Sequence, residues 1–283
     1  MRRGRRGAIL LGGLLALLWA APAAATTTIG QLAPAGSTPA TCGPSSGAYV
    51  QPTVTSGNSY IVPANGVRIT SWSTVATSMS SQKMWLMVFR SLGANTYMTV
   101  SRDGPKSLAA SALNTFTTNL AVNPGDILGV DTSTTGNVVG CAFFVAGETR
   151  WTSFPNPPPA DGQSGVFQPA DNDRLNVTAE VEVSNAFTFG ATTRNKKKGK
   201  ATATVHGAGP GSFALSGNGL KSQQVTLGNT VGDVVLPVIP KGKVKKKLRE
   251  RGKTRVTMSV TYTPDGGAAN TQTEKLKLIR HQK

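Results

Sequence analysis

Leu175-Asn176-Val177-Thr178-Ala179-Glu180-Val181-Glu182-Val183 decides the fold. From Val177 onward apolar and polar residues alternate, and a period of two places every second side chain on one face of a half-buried β-strand. No helical stripe fits that order. Short runs rich in Val, Thr, Ile and aromatic residues recur on both sides of it, separated by clusters of Gly, Pro, Asn and Ser, and no stretch carries a convincing helix of four turns. That pattern predicts an all-β protein built from sandwiches.

Upstream, the pattern predicts strands over 49–54, 59–62, 67–74, 84–90, 96–101, 114–122, 127–130, 138–144 and 174–183, which suits a jelly-roll-like sandwich. Met84-Trp85-Leu86-Met87-Val88-Phe89 is apolar at successive positions, so it reads as a central strand covered on both faces, or as one whose outer face carries something apolar. Asn123-Pro124-Gly125-Asp126 is turn chemistry, which makes Asp126 a turn residue before an acid catalyst. The proline cluster near residues 155–165 has linker composition, yet the alternating strand after it belongs with the front by pattern and charge. The boundary therefore falls at 185/186. Downstream, strands are predicted over 187–189, 201–206, 211–216, 222–227, 234–239, 254–263 and 274–279, seven in number, as in an immunoglobulin-like or fibronectin-like sandwich. Val244 and Leu248, spaced i and i+4, predict one helical turn pinned against its edge.

Charge divides the chain at the same place. Residues 187–283 hold nineteen Lys and Arg against four acids, whereas residues 26–186 hold seven against nine. Nine of the basic residues, Lys241, Lys243, Lys245, Lys246, Lys247, Arg249, Arg251, Lys253 and Arg255, crowd into one segment opposed only by Glu250. Charge at this density binds polyanions by counterion release. The expected partners are anionic cell-surface polymers or acidic polysaccharide. Aromatic residues do not interleave the lysines, which argues against nucleic-acid recognition by stacking and against sequence-specific binding. The plain alternative is a solvated surface that keeps strand edges from pairing.

Arg2, Arg3, Arg5 and Arg6 precede an apolar run from Ala8 to Ala21, and small residues follow at Ala23-Ala24-Ala25. Residues 1–25 thus read as a secretory signal peptide, by the general or the twin-arginine route. No later stretch approaches the roughly 20 apolar residues of a membrane span. The expected location is secreted, extracellular or wall-associated. Export makes a disulfide between the two cysteines, Cys42 and Cys141, the default expectation.

Tyr60-Ile61-Val62-Pro63-Ala64-Asn65-Gly66-Val67-Arg68-Ile69-Thr70-Ser71-Trp72-Ser73, with Leu113-Asn114-Thr115-Phe116 and the turn Pro124-Gly125-Asp126-Ile127-Leu128-Gly129, resembles the front domain of secreted, functionally uncharacterised actinobacterial two-domain β proteins. Asn195-Lys196-Lys197-Lys198-Gly199-Lys200 and the run from Lys241 to Thr263, continuing into Pro264, resemble the Lys-rich Ig-like module at their C-terminus. The resemblance implies export and β architecture and supplies no activity.

No catalytic constellation emerges. The two histidines, His206 in an expected strand and His281 near the C-terminus, offer no triad or His-rich metal site. We expect a non-enzymatic protein without a cofactor. Two local features keep a carbohydrate-active alternative, lectin-like or carboxylate-based, in view. Strict alternation turns Trp72 outward and Trp151 precedes the proline cluster, so either ring offers a sugar an apolar face, unless a β-bulge returns Trp72 to the core. Asp171-Asn172-Asp173 reads as an acidic turn whose Asp171 and Asp173 oxygens suit a structural Ca²⁺.

Overall fold

The structure, a computed structural model, describes residues 26–42, 47–133, 138–153, 158–228 and 231–281. The signal peptide expected over 1–25 lies outside them. Among the described residues eleven strands make the front region: β1 (Thr26–Gln31), β2 (Ala40–Cys42), β3 (Ala48–Val50), β4 (Gly66–Val75), β5 (Lys83–Gly93), β6 (Thr96–Ser107), β7 (Leu113–Ala121), β8 (Ile127–Asp131), β9 (Val139–Ser153), β10 (Ser164–Leu175) and β11 (Val177–Val183). They form two antiparallel sheets, ordered β1-β11-β4-β7 and β10-β6-β5-β8-β3-β9-β2. The larger sheet also closes on itself. The start of β10 pairs with β6 and its remainder with β9, so six strands complete a hydrogen-bonded circuit.

This closure explains the continuous apolar run of β5. Met84, Leu86, Met87, Val88 and Phe89 are all buried, and the Phe89 ring meets Phe167 of β10 edge-on at 5.3 Å between centroids. Inner-sheet strands are expected to lose their polar alternation when both faces are covered. One contiguous hydrophobic cluster runs through both front sheets.

The alternating stretch Val177–Val183 is β11, with the burial alternation its sequence requires. It does not begin at 174 as one strand, however. Asn176 divides β10 from β11 and passes the chain from one sheet to the other. Its buried side chain donates to the carbonyls of Val75 (2.7 Å) and Gly140 (3.0 Å) and accepts from the Ala33 amide (2.9 Å). A polar residue at a buried crossing is tolerated when its groups are satisfied in this way. Three strands escape the sequence pattern altogether. β1 and β2 lack an apolar run, and β10 carries Pro169 and the acidic Asp171–Asp173 group within it. The strand expected over 59–62 reduces to a single bridge, Ile61 to Ile127.

The back region contains β12 (Phe187–Asn195), β13 (Lys200–Gly207), β14 (Gly211–Ser216), β15 (Gln223–Leu227), β16 (Gly232–Val238), α1 (Gly242–Arg251), β17 (Lys253–Pro264) and β18 (Asn270–Ile279). Its sheets are ordered β12-β13-β16 and β15-β14-β17-β18, a three-and-four sandwich of the fibronectin-like kind. A second hydrophobic cluster fills it, with Phe213 stacked on Tyr262 at 4.5 Å. Among the described residues no strand of the front pairs with one of the back: each sheet takes its strands from one side of residues 184–186.

Candidate polyanion-binding site

α1 is held by its packing rather than by its ends. Val244 and Leu248 stand one turn apart and face the back core, Leu248 fully buried. No side chain caps the N-terminus and no acid lies in the first turn, so the helix macrodipole is unopposed there. At the other end Gly252 adopts the left-handed conformation (φ 66°) and its N–H closes on the Leu248 carbonyl. With Leu248 committed to the core, the cations of the helix are left in solvent. Lys241, Lys243, Lys245, Lys246, Lys247, Arg249, Arg251, Lys253 and Arg255 are all exposed. Lys246 pairs with Glu250 at 3.9 Å, both side chains more than half exposed, which neutralises little.

The second lysine cluster is brought to this helix by tertiary packing. Lys196, Lys197 and Lys198 lie in the turn joining β12 to β13, and Gly199 in that turn has φ 63°. A Cβ at Gly199 would stand 2.8 Å from Leu248 Cδ2 and 3.2 Å from Arg280 Cβ. Only glycine allows both that backbone conformation and that approach. The C-terminal segment ties the pieces together: the Arg280 N–H donates to the Gly252 carbonyl at 2.7 Å, and the His281 N–H to the Lys196 carbonyl at 3.0 Å. Two basic clusters some forty residues apart in sequence therefore form one end of the back sandwich. Gly199→Ala is expected to cost about 1–2 kcal/mol from the left-handed backbone alone, with a further loss from the Leu248 contact. A lowered melting temperature of the back region checks this; an unchanged one would show that the turn and helix pack independently.

Beside the turn lies an open groove of about 910 Å³. It is lined by exposed Arg194, Lys196, Lys197, Lys198 and Lys200 and by half-buried Thr202, Pro237 and Ile239. The pairing register sets this arrangement. Thr193, Thr202 and Pro237 form one row across β12, β13 and β16. Sequence reading passed over this groove, although the apolar residues at successive positions of Val234-Val235-Leu236-Pro237-Val238-Ile239 carry the same signal as β5.

The other expected site residues lie elsewhere. Trp72 is buried, correcting its outward placement: the register of β4 slips around Thr70 against both neighbours, bringing Ile69 and Trp72 to the same inner face. That is the bulge alternative. Its indole N–H donates to Asp103 Oδ2 at 2.8 Å, and its ring lies 4.8 Å from Phe116, so it offers no face to a sugar. Trp151 sits in β9 opposite Val50 and Pro169, and its side chain lies outside the described residues. Asp171 and Asp173 do not form a turn between strands; they flank a bulge within β10, with Asn172 at φ 64°. Arg150 engages Asp173 at 3.1 Å, while the Asp171 side chain lies outside the described residues. Among the described residues, no group of three or more His, Cys, Asp or Glu converges as a metal site.

Asp126 is a turn residue with a structural duty: fully buried, it accepts Arg90 through both oxygens, at 2.8 and 3.0 Å, and the Asn123 amide at 2.8 Å. His206 is a half-exposed strand residue whose Nδ1 lies 2.9 Å from Asp233 Oδ1. Cys42 and Cys141 form a disulfide, Cα to Cα 5.7 Å, linking β2 to β9. No helix among the described residues is long and apolar enough to cross a membrane.

No protein-family model matches the chain, and comparison with curated proteins finds no match.

Proposed function

We propose that the protein is an exported, non-enzymatic envelope or extracellular protein, retained on anionic surface polymer by its basic back region, residues 186–283. The observation that carries this reading is the convergence of the helix cations and the Lys196–Lys200 turn on one end of the sandwich. Solvation alone does not require two separate clusters to be packed together, whereas a polyanion gains with every charge it meets at once. The disulfide is in keeping with an oxidising compartment.

Replacing Lys245, Lys246 and Lys247 together by Glu tests the reading, because all three are exposed and the buried Leu248 is untouched. The fold should survive. Affinity for purified cell wall or a model polyanion should fall by about tenfold or more at low ionic strength, and the slope of log affinity against log salt should shrink by about one for each lysine that engages. Equal wall association of both proteins, or wild-type binding indifferent to salt, would make the lysines a solubilising surface.

A further inference from the structure

The groove beside the lysine turn has a feature that a simple charge patch lacks. On the outward face of β16 the residues Val235, Pro237 and the following Ile239 succeed one another at every second position, where a solvated sheet face is expected to carry polar side chains. Val235 is 55% exposed. This apolar line runs toward the lysines of the turn, which line the groove together with Pro237 and Ile239. The hydroxyls of Thr193 and Thr202 sit in the same cross-strand row as Pro237. The groove lining thus combines cations, hydroxyls and apolar side chains.

We propose that it is a binding subsite for an acidic glycan, a polymer of sugar rings bearing carboxylate or phosphate groups. The proposal rests on the polyanion-binding reading and narrows it. The lysines answer the negative groups, the threonine hydroxyls answer sugar hydroxyls, and Pro237 with Ile239 receives the C–H face of a ring. A bare polyphosphate meets the lysines but has nothing to lay on Pro237 and Ile239. A membrane surface fits less well, because Pro237 and Ile239 are half-buried while the cations beside them are exposed. Apolar lining with a few well-placed polar groups is the usual composition of a binding cleft.

Binding is to be measured on the full chain with an oligogalacturonate of about ten sugars and a linear polyphosphate of equal charge, at low and high salt. Wild-type protein is expected to prefer the oligogalacturonate by about fivefold, since partial burial of an apolar side chain supplies a difference of that order. The preference should widen as salt rises, because screening weakens the charge contacts and spares the apolar one. Ile239→Ser, with Pro237→Ser as a second variant should the first fail to fold, is expected to abolish the preference and alter polyphosphate affinity less than about twofold. The Lys245/Lys246/Lys247→Glu protein should weaken both probes alike. Equal wild-type affinity for the two probes, or a preference that survives both serine variants in folded protein, overturns the subsite. Ile239-dependent binding to phosphatidylglycerol vesicles without oligogalacturonate preference would assign the groove to membrane and overturn it as well. Loss of the preference in Ile239→Ser together with full binding by the lysine variant would uphold the groove and overturn the contribution of the helix.

Discussion

Arg174→Met should destabilise the front region by about 3–5 kcal/mol, the usual consequence of stripping one partner from a buried ion pair. Arg174 and Glu148 are both buried, with side-chain exposures of 4% and 2%, and are joined through Nη2 and Oε1. The guanidinium also donates to Gln31 Oε1 at 2.6 Å, and the Glu148 carboxylate accepts the amide and hydroxyl of Thr55. One cluster therefore fastens β10, β9, β1 and the segment after β3. Removing the cation leaves a carboxylate in the interior with only the Thr55 hydrogen bonds. The double variant Arg174→Met/Glu148→Gln should recover part of the loss, because it removes the stranded charge.

Acid titration supplies an independent reading of the same cluster. Burial raises the Glu148 carboxyl, but the Thr55 and Arg174 hydrogen bonds outweigh it and hold the group below the ordinary carboxylate value. A depressed folded value means stability that is fully present above the ordinary carboxylate range and lost as pH falls through the folded value. Without Arg174 burial should dominate and the sign should reverse, so the variant should gain relative stability as pH falls toward and below that range. Denaturant melts of the three proteins between about pH 3 and 7 decide the matter. A single-variant loss below about 1 kcal/mol, or wild-type and variant curves that run parallel in pH, would show the pair to be a bystander.

The second large effect belongs to the disulfide. Cys42 and Cys141 are 99 residues apart, and closing a loop of that size restrains the unfolded chain by up to ~4.7 kcal/mol in the chain-entropy treatment. β2 needs the restraint, since it is three residues long and lies at the edge of the larger sheet. Reduction, or Cys42→Ala with Cys141→Ala, should lower the melting temperature of the front region and leave the back region where it was. Ready alkylation of both cysteines in native protein would contradict the bond.

Much of the fold follows from local pattern. β14 coincides with the run expected over 211–216, and β11 shows the burial alternation read from its sequence. The i, i+4 pair in the basic segment foretold a single helical turn; the observed α1 spans ten residues, and Leu248 is the residue it buries. What periodicity missed has identifiable causes. β10 was hidden because Pro169 and three consecutive Asp or Asn residues oppose strand propensity, yet its two neighbours, β6 and β9, supply the hydrogen bonds that hold it. Strict alternation alone points Trp72 outward; the bulge near Thr70, open as the alternative in the sequence, reverses the parity of everything after it and returns the ring to the core.

By itself, then, the amino-acid order determined the all-β class, the positions of most strands, the division of charge between front and back, and the covered strand at Met84–Phe89. Those properties reside in neighbouring residues, where side-chain spacing and turn chemistry act directly. The tertiary structure alone decided which strands close the larger sheet, that Arg174 meets Glu148 in the interior, and that Gly199 lets the Lys196–Lys200 turn rest against Leu248. Each of these depends on segments distant in sequence meeting at one place, and that meeting is set by sheet register and core packing, which no local period records.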